Sequence, residues 1–285
     1  MIDLHCHTTA SDGLLTPYDL IMRAEKEGIS VLAIADHDTV AGIEEAMSAA
    51  KENGISLIPA IELSLDFPTG DLHLLGYGID YHNQDFVNRV QKLKSAREQR
   101  ILKIIKKLNK ININLTIEDV KKESNGASPG KPHVARALVK KGYAPDVTSA
   151  IKKYLIKGMP GYVSKEKLDL EAAFKLIRNV GGVSVLAHPK SMQCIDDREY
   201  ERIIESFISY GLVGIEVYAA IHKDVDVEMF TGIARRHNLI TTGGSDFHGE
   251  KHDRLGYYGS DRLIPISCAH SLLRLIDTNV LSIYL

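Results

Sequence analysis

Nine histidine, aspartate and glutamate side chains lie within or soon after short strand-like apolar runs, and their types are those of metal ligands. His5 and His7 stand two positions apart after a short apolar run, so on a strand both imidazoles point to the same side. Asp12 follows in a polar turn. The other candidates lie within or directly after strand-like apolar runs: His37, Glu62, His73, His188, Asp246 and His248. Imidazole and carboxylate groups together suit a borderline divalent ion.

The size of this set predicts a cluster of metal ions rather than one ion. A tetrahedral site needs only about four ligands, so we expect two to three divalent ions, with manganese first and iron or zinc as alternatives. Glu62 is the candidate bridging carboxylate. One histidine at a strand end is more often structural than metal-bound, but that explanation fails for a whole series on successive strands. Asp36 and Asp38 flank His37, and we expect one of them to orient an imidazole.

The segments that carry these residues alternate between apolar, strand-like runs and helical patterns. Strands are predicted at about 1–4, 31–35, 56–61, 71–77, 183–187, 213–217 and 239–242, with a short terminal strand in addition. Thr16 and Thr39 are predicted to cap the helices that follow the first two strands. Glu62 is predicted to follow the third strand directly. Polar residues at strand ends are typical of α/β barrel enzymes, in which the active site lies at one mouth.

The alternation stops between the fourth and fifth strands. Residues 86–165 show helical patterns and no strand pattern, so we predict an all-helical insertion between two barrel segments, 1–85 and 166–285. The stretch from Arg89 to Lys157 contains 18 Lys and Arg residues but only 5 Asp and Glu residues, although the whole chain has a net charge of −2. A basic insertion beside bound cations would attract a polyanion.

Cysteine spacing and apolar content argue against a disulfide-rich, membrane-spanning or secreted protein. The three cysteines are far apart and form no CxxC pair, which predicts a reducing, cytoplasmic environment without a disulfide framework. No apolar run reaches the roughly 18 residues of a membrane-spanning helix, and no secretory signal is visible. We therefore expect no membrane association, and the sequence implies no stable protein partner.

Five short motifs, in order along the chain, resemble those of a known family. They are His5-Cys-His7-Thr with Ser11-Asp12-Gly13, Ala35-Asp-His37-Asp38, the strand end at Glu62, Leu186-Ala-His188-Pro and Gly244-Ser-Asp246-Phe-His248. This pattern resembles the PHP (polymerase and histidinol phosphatase) family. Within the insertion, residues 130–138 and 157–163 resemble a subgroup of small phosphoesterases that act on nucleoside 3′,5′-bisphosphates. Some of that subgroup also trim short RNA from the 5′ end.

The resemblance implies a distorted (β/α)7 barrel that binds up to three divalent ions. It assigns the ligands to three sets, which are His5, His7, Glu62 and Asp246; Glu62, His73 and His188; and Asp12, His37 and His248. Our hypothesis is hydrolysis by a metal-bridged hydroxide, with Asp12, His188 and His248 as catalytic residues and one of the two histidines as proton donor. The residues expected to contact the substrate are Lys131, His133, Arg136, Lys157 and Tyr162. The subgroup usually has arginine where this chain has Lys131.

The expected reaction is removal of the 3′-phosphate from a nucleoside 3′,5′-bisphosphate. A 5′–3′ exonuclease acting on short oligoribonucleotides would use the same site. A histidinol-phosphate phosphatase is a further alternative, although the basic insertion would repel its cationic substrate. A non-catalytic metal-binding module is the alternative outside enzymes.

Overall fold

A sheet of seven strands forms the centre of the computed structural model, which describes residues 1–65, 67–124, 129–164, 168–259 and 261–276. The strands lie in chain order: β1 (Ile2–Cys6), β2 (Val31–Ile34), β3 (Ser56–Leu65), β4 (Leu72–Tyr77), β5 (Val183–Leu186), β6 (Leu212–Ala219) and β7 (Ile240–Gly244). Cys6 forms a bridge to Phe247 just after β7, so the sheet nearly closes on itself. The predicted α/β fold with a seven-strand barrel is confirmed.

Strand β4 runs against the direction of the other barrel strands. It pairs antiparallel with β3 and β5, whereas the other neighbouring pairs are parallel. His73 is the second residue of β4, and it lies at the mouth where the parallel strands end because β4 begins there. The prediction that the third strand ends before Glu62 is wrong. Strand β3 continues to Leu65, since its last residues pair with the start of β4.

Helices pack against the sheet and fill the segment between β4 and β5. They are α1 (Pro17–Lys26), α2 (Ile43–Glu52), α3 (Gln84–Asn109), α4 (Ile117–Ser124), α5 (Lys131–Lys140), α6 (Val147–Ala150), α7 (Leu170–Arg178), α8 (Asp197–Ile208), α9 (Asp224–Arg236) and α10 (Ser267–Leu273). Thr16 caps α1 as predicted, by accepting a hydrogen bond from the amide of Asp19 at 3.0 Å. Thr39 does not cap α2. Its hydroxyl accepts a hydrogen bond from the amide of Ala41, and the helix begins only at Ile43 with Gly42 as its N-cap residue.

The helices α3 to α6 share an apolar core of their own. It includes Ile104 of α3, Val120 of α4 and Leu138 of α5, and all of its members lie between residues 101 and 163. A π-helical turn at Ile151–Leu155 continues α6. The apolar core of these helices accounts for the apolar positions that stand among basic residues in this segment. We keep the division into a barrel and an 86–165 insertion as a proposal.

Two short elements near the mouth were not predicted. A 3-10 turn at Pro189–Met192 follows β5, and a small hairpin joins β8 (Tyr257–Tyr258) to β9 (Arg262–Leu263). The predicted terminal strand falls in 277–285, outside the described residues. None of the helices in the described part of the chain has both the length and the apolar character to cross a membrane.

Candidate metal centre

The backbone at three strand exits turns sharply to present side chains to the mouth. Asp38, His188 and Asp246 have φ angles of 53°, 22° and 52°, in a region that residues other than glycine adopt rarely. Such strain is maintained only where the surrounding structure enforces it, and it is concentrated at functional sites. Hydrogen bonds hold one of these exits in place, since Asp38 accepts from the Ser64 amide at 3.1 Å.

Glu62 lies at the centre of the nine candidate ligands. Its Oε1 is 2.8 Å from Nδ1 of His73 and 2.9 Å from Nε2 of His188. Its Oε2 is 2.8 Å from Nδ1 of His37 and 3.4 Å from Nε2 of both His5 and His7. A fully buried carboxylate with imidazoles on both oxygens has the arrangement of a bridging ligand.

The remaining ligands extend from His7 towards the end of β7. Its Nε2 is 3.0 Å from Oδ1 of Asp246 and 3.1 Å from Nε2 of His5. On the other side of the same ring, Nδ1 is 3.9 Å from Oδ1 of Asp12, which is also 3.5 Å from Nε2 of His248. The structure therefore brings all nine predicted ligands to one mouth.

Four groups of these residues place their ligand atoms within 4.8 Å of one another: His7, Asp12, His37 and His248; His5, Glu62 and His188; His5, His7 and Asp246; and His37, Glu62 and His73. These groups cut across the ligand sets that the family resemblance implies. His7 joins the Asp12 group, and His37 is shared between two groups. Neighbouring ions that share ligands would produce this overlap.

The chemistry of the buried atoms fits divalent ions. Nδ1 of His7 and Oδ1 of Asp12 are buried and have no hydrogen-bond partner among the described residues. Nδ1 of His37 and Oε2 of Glu62 are also buried, and although they lie 2.8 Å apart their geometry is not that of a hydrogen bond. A buried polar atom without a partner destabilises a fold by roughly 1–3 kcal/mol, so several together require an explanation. All can act as metal-ligand atoms, and a bound cation would satisfy them.

Electrostatics at the mouth favour positive charge. Burial opposes ionisation of Glu62, but His37 and His73 hold the pKa of its carboxyl well below the usual value. Burial also opposes ionisation of Asp12, but Arg97, His37 and His248 together outweigh it and hold the pKa of Asp12 well below its usual value. Burial opposes protonation of His188, but the neighbouring carboxylates of Glu62, Asp246 and Glu216 together raise its pKa to about 9. The carboxylates thus draw a positive charge to this position, which a metal ion can supply.

Glu216, which the sequence reasoning missed, orients the ligands. It is fully buried, its Oε1 accepts a hydrogen bond from Nδ1 of His5 at 3.0 Å, and its Oε2 accepts from the amide of His188 at 2.8 Å. An acidic residue inside the apolar run 213–217 was the available signal. We expected Asp36 or Asp38 to orient an imidazole. In the structure Asp36 accepts hydrogen bonds from the amide and the hydroxyl of Thr8, and Asp38 accepts from the amide of Ser64, so this role stays a prediction.

A cavity of about 110 Å³ borders the candidate metal centre on the side of His37 and His73. Three cations of the helical segment line it: Arg97 and Arg100 of α3 and Lys131 of α5. Arg97 also forms a 2.6 Å ion pair with the candidate ligand Asp12. The two arginines were missed because only the packing of α3 over the mouth, and not the local sequence, separates them from the surface lysines.

The five predicted substrate contacts lie in three different places. Lys131 lines the small cavity, and with Lys157 and Tyr162 it also lines an adjoining groove of about 770 Å³. His133 is fully buried, and its Nδ1 accepts a hydrogen bond from the Gly130 amide at 2.8 Å, so it stabilises the start of α5. Arg136 lines a separate cavity, described below, and forms a 2.6 Å ion pair with Glu250.

Comparison with known proteins matches the PHP domain family to residues 3–217. The chain belongs to this family. It is 35% identical over 246 residues to a 5′-3′ exoribonuclease of Haemophilus influenzae, covering 86% of this chain and 89% of that protein. It is 34% identical over 248 residues to a 3′,5′-nucleoside bisphosphate phosphatase of Chromobacterium violaceum, covering 87% of each.

A solved structure supports the same assignment at the level of fold. It is described as an amidohydrolase from Chromobacterium violaceum with bound sulfate and no metal. It superposes with a TM-score of 0.86 and 32% sequence identity, covering 98% of this chain and 99% of the other. The likeness thus includes the helical segment between β4 and β5 as well as the barrel of this PHP domain protein.

Proposed function

We propose that this PHP domain protein is a metal-dependent phosphoesterase that removes the 3′-phosphate from nucleoside 3′,5′-bisphosphates. The observation that carries the proposal is the cavity in which Arg97, Arg100 and Lys131 lie beside the candidate ligands His37 and His73. A substrate with two phosphates can place one at the metal centre and the other against these cations. The name of the Chromobacterium violaceum relative supports this choice of substrate.

The nine ligands would hold two to three divalent ions, manganese first and iron or zinc as alternatives. Bound ions of this kind lower the pKa of water and offset charge on a phosphoryl group. The protein itself positions the substrate: the guanidinium groups bind phosphate oxygens in forked geometry, and Lys131 adds a point charge. His188 and His248 are our candidates to protonate the 3′ oxygen as its bond to phosphorus breaks.

The adjoining groove offers a place for the nucleoside. Tyr162 and Lys157 line it together with Arg100. Two contacts fix the segment that carries Tyr162, since Lys107 donates to its carbonyl at 2.6 Å and Arg100 donates to the carbonyl of Val163 at 2.9 Å. A tyrosine held in this way can stack on a base, a contact that tolerates any base. We therefore assign base stacking to Tyr162.

A 5′–3′ exonuclease activity on short oligoribonucleotides is the second candidate. The Haemophilus influenzae relative bears that name, and the same bond, between the 3′ oxygen and phosphorus, is broken in both reactions. A histidinol-phosphate phosphatase is disfavoured because the three cations of the cavity would repel a substrate amine. A cytoplasmic location and the absence of a stable protein partner remain predictions.

Phosphate release from three compounds tests the proposal. The compounds are adenosine 3′,5′-bisphosphate, adenosine 3′-monophosphate and histidinol phosphate, each with Mn²⁺. We expect the bisphosphate to be preferred and to yield the 5′-monophosphate, since only it presents a second phosphate to the cavity. Equal turnover of the two adenosine compounds would remove the second-phosphate site from the proposal. Preference for histidinol phosphate would contradict the substrate assignment.

A further inference from the structure

A second cavity meets the metal centre from the β7 side. It has a volume of about 490 Å³, and the candidate ligands Asp246 and His248 form part of its wall. The small cationic cavity instead touches the candidate ligands Asp12, His37 and His73, and Pro132 is the one described residue that lines both cavities. A molecule whose reacting phosphate sits at the metal centre can therefore extend in two directions.

The wall of this second cavity is partly apolar. Val147 and Ile151 come from the helical segment, and Ala220 and Ile221 follow β6. Tyr257 of β8 also lines the cavity, and the guanidinium carbon of Arg254 is 3.9 Å from the centre of its ring. An aromatic ring with a stacked guanidinium is the kind of surface on which nucleic-acid bases stack.

Arg136 also lines this cavity. Its Nη1 pairs with Glu250 at 2.6 Å, but Nε and Nη2 are buried and lack a hydrogen-bond partner among the described residues. The charges of Arg136 and Arg254 are roughly balanced by Glu250 and Asp253. A near-neutral, partly apolar cavity of this size suits a nucleoside better than a second bare phosphate.

We infer that this cavity binds the nucleoside on the 3′ side of the scissile phosphate when the substrate is a short 5′-phosphorylated oligonucleotide, the substrate of the second candidate function. The inference rests on the proposed function. In the reaction, water forms a new bond to phosphorus, the bond from phosphorus to the upstream 3′ oxygen breaks, and that oxygen takes a proton. The downstream nucleoside keeps the phosphate on its 5′ oxygen. Because the 5′-phosphate of the upstream nucleoside occupies the cavity of Arg97, Arg100 and Lys131, the downstream nucleoside must lie on the other side of the metal centre.

Two variants separate this cavity from the rest of the site. Tyr257→Ala removes the stacking surface, and Ala220→Trp fills the cavity with a large side chain. Tyr18→Ala is the matched control, because Tyr18 is 48% exposed on α1 and lines neither cavity. The substrates are adenosine 3′,5′-bisphosphate and a 5′-phosphorylated diadenylate, each with Mn²⁺. Turnover of the bisphosphate, which does not reach this cavity, reports whether each variant is folded.

The inference predicts that both cavity variants lower kcat/KM for the dinucleotide by about tenfold or more, the size expected for loss of one base stack. Hydrolysis of the bisphosphate should change less than about twofold, and the control should match wild type on both substrates. Wild-type protein that cleaves the bisphosphate but not the dinucleotide would overturn the inference and leave the proposed function intact. Unchanged dinucleotide cleavage in both variants would do the same. Loss of both activities in wild type would instead refute the proposed function.

Discussion

Replacing Arg100 by methionine should selectively weaken hydrolysis of substrates that carry a second phosphate. Arg100 is only 7% exposed, and it lines the small cavity while its Nε donates to the carbonyl of Val163. This bond leaves the other guanidinium nitrogens for a phosphate in the cavity. Methionine keeps most of the apolar length and removes the charge and the donors.

The magnitude follows from the type of bond that is lost. A hydrogen bond to a charged group contributes about 1.5–3 kcal/mol, so kcat/KM for the 3′,5′-bisphosphate should fall about 10- to 150-fold. For the 3′-monophosphate, which has no 5′-phosphate to bind, the fall should be less than about twofold. The free energy of unfolding should drop by about 1 kcal/mol from loss of the bond to Val163, as measured by urea titration.

The assay compares both substrates in wild type, Arg100→Met and Lys103→Met. Lys103 is an exposed cation on the same helix, so its replacement controls for the general loss of positive charge. We expect Lys103→Met to change both rates by less than about twofold at moderate ionic strength, because exposed charges are screened. An equal loss of activity on both substrates in Arg100→Met would refute the assignment of this cavity to a second phosphate.

Three further predictions concern the support of the site and the fold. Glu216→Gln should weaken Mn²⁺ binding about 10- to 100-fold in chelator competition, because the neutral amide no longer holds the ring of His5 as a carboxylate does; wild-type affinity would argue against this role. Burial lowers the pKa of His133 to about 4, so the unfolded chain binds a proton more readily than the folded one, and stability is complete above about pH 6.5 and falls towards pH 4. Relative to His133→Gln, wild type should lose about 2 kcal/mol more between pH 7 and pH 4.5, and parallel urea curves for the two proteins would contradict this. Burial raises the pKa of the Cys268 thiol to about 12 and that of Cys194 to about 11, so at pH 8 iodoacetamide should label the partly exposed Cys194 first and Cys268 only on unfolding, and rapid native labelling of Cys268 would be inconsistent with its burial.

Sequence patterns could locate the candidate metal centre because the relevant information is local. A polar residue at the end of a buried strand is visible without knowledge of its neighbours, and this placed candidates such as His37 and Asp246 correctly at one mouth. The direction of a strand is not local. Strand β4 has the apolar pattern of its neighbours, and only its pairing with β3 shows that it runs antiparallel. His73 therefore reaches the mouth because β4 is antiparallel and begins there, which the apolar pattern alone does not show.

The contacts made by the helical segment were harder to predict. Arg97 and Arg100 lie three positions apart on α3 among many basic residues, and the sequence does not distinguish the helix face that packs over the mouth from the one in solvent. His133 shows the opposite case, since its position in a family-like motif suggests substrate contact while the structure buries it at the start of α5. Its role, like those of the other predicted contacts, stays a prediction.

Metal titration of metal-depleted protein tests the central claim most directly. Bound Mn²⁺ and phosphate release from adenosine 3′,5′-bisphosphate would be measured in the same samples, for wild type and for Glu62→Gln. The account predicts no turnover before metal is added, restoration as about two to three ions bind per chain, and weaker binding in the variant. Full turnover by protein shown to contain no metal, or Mn²⁺ binding that Glu62→Gln leaves unchanged, would contradict it.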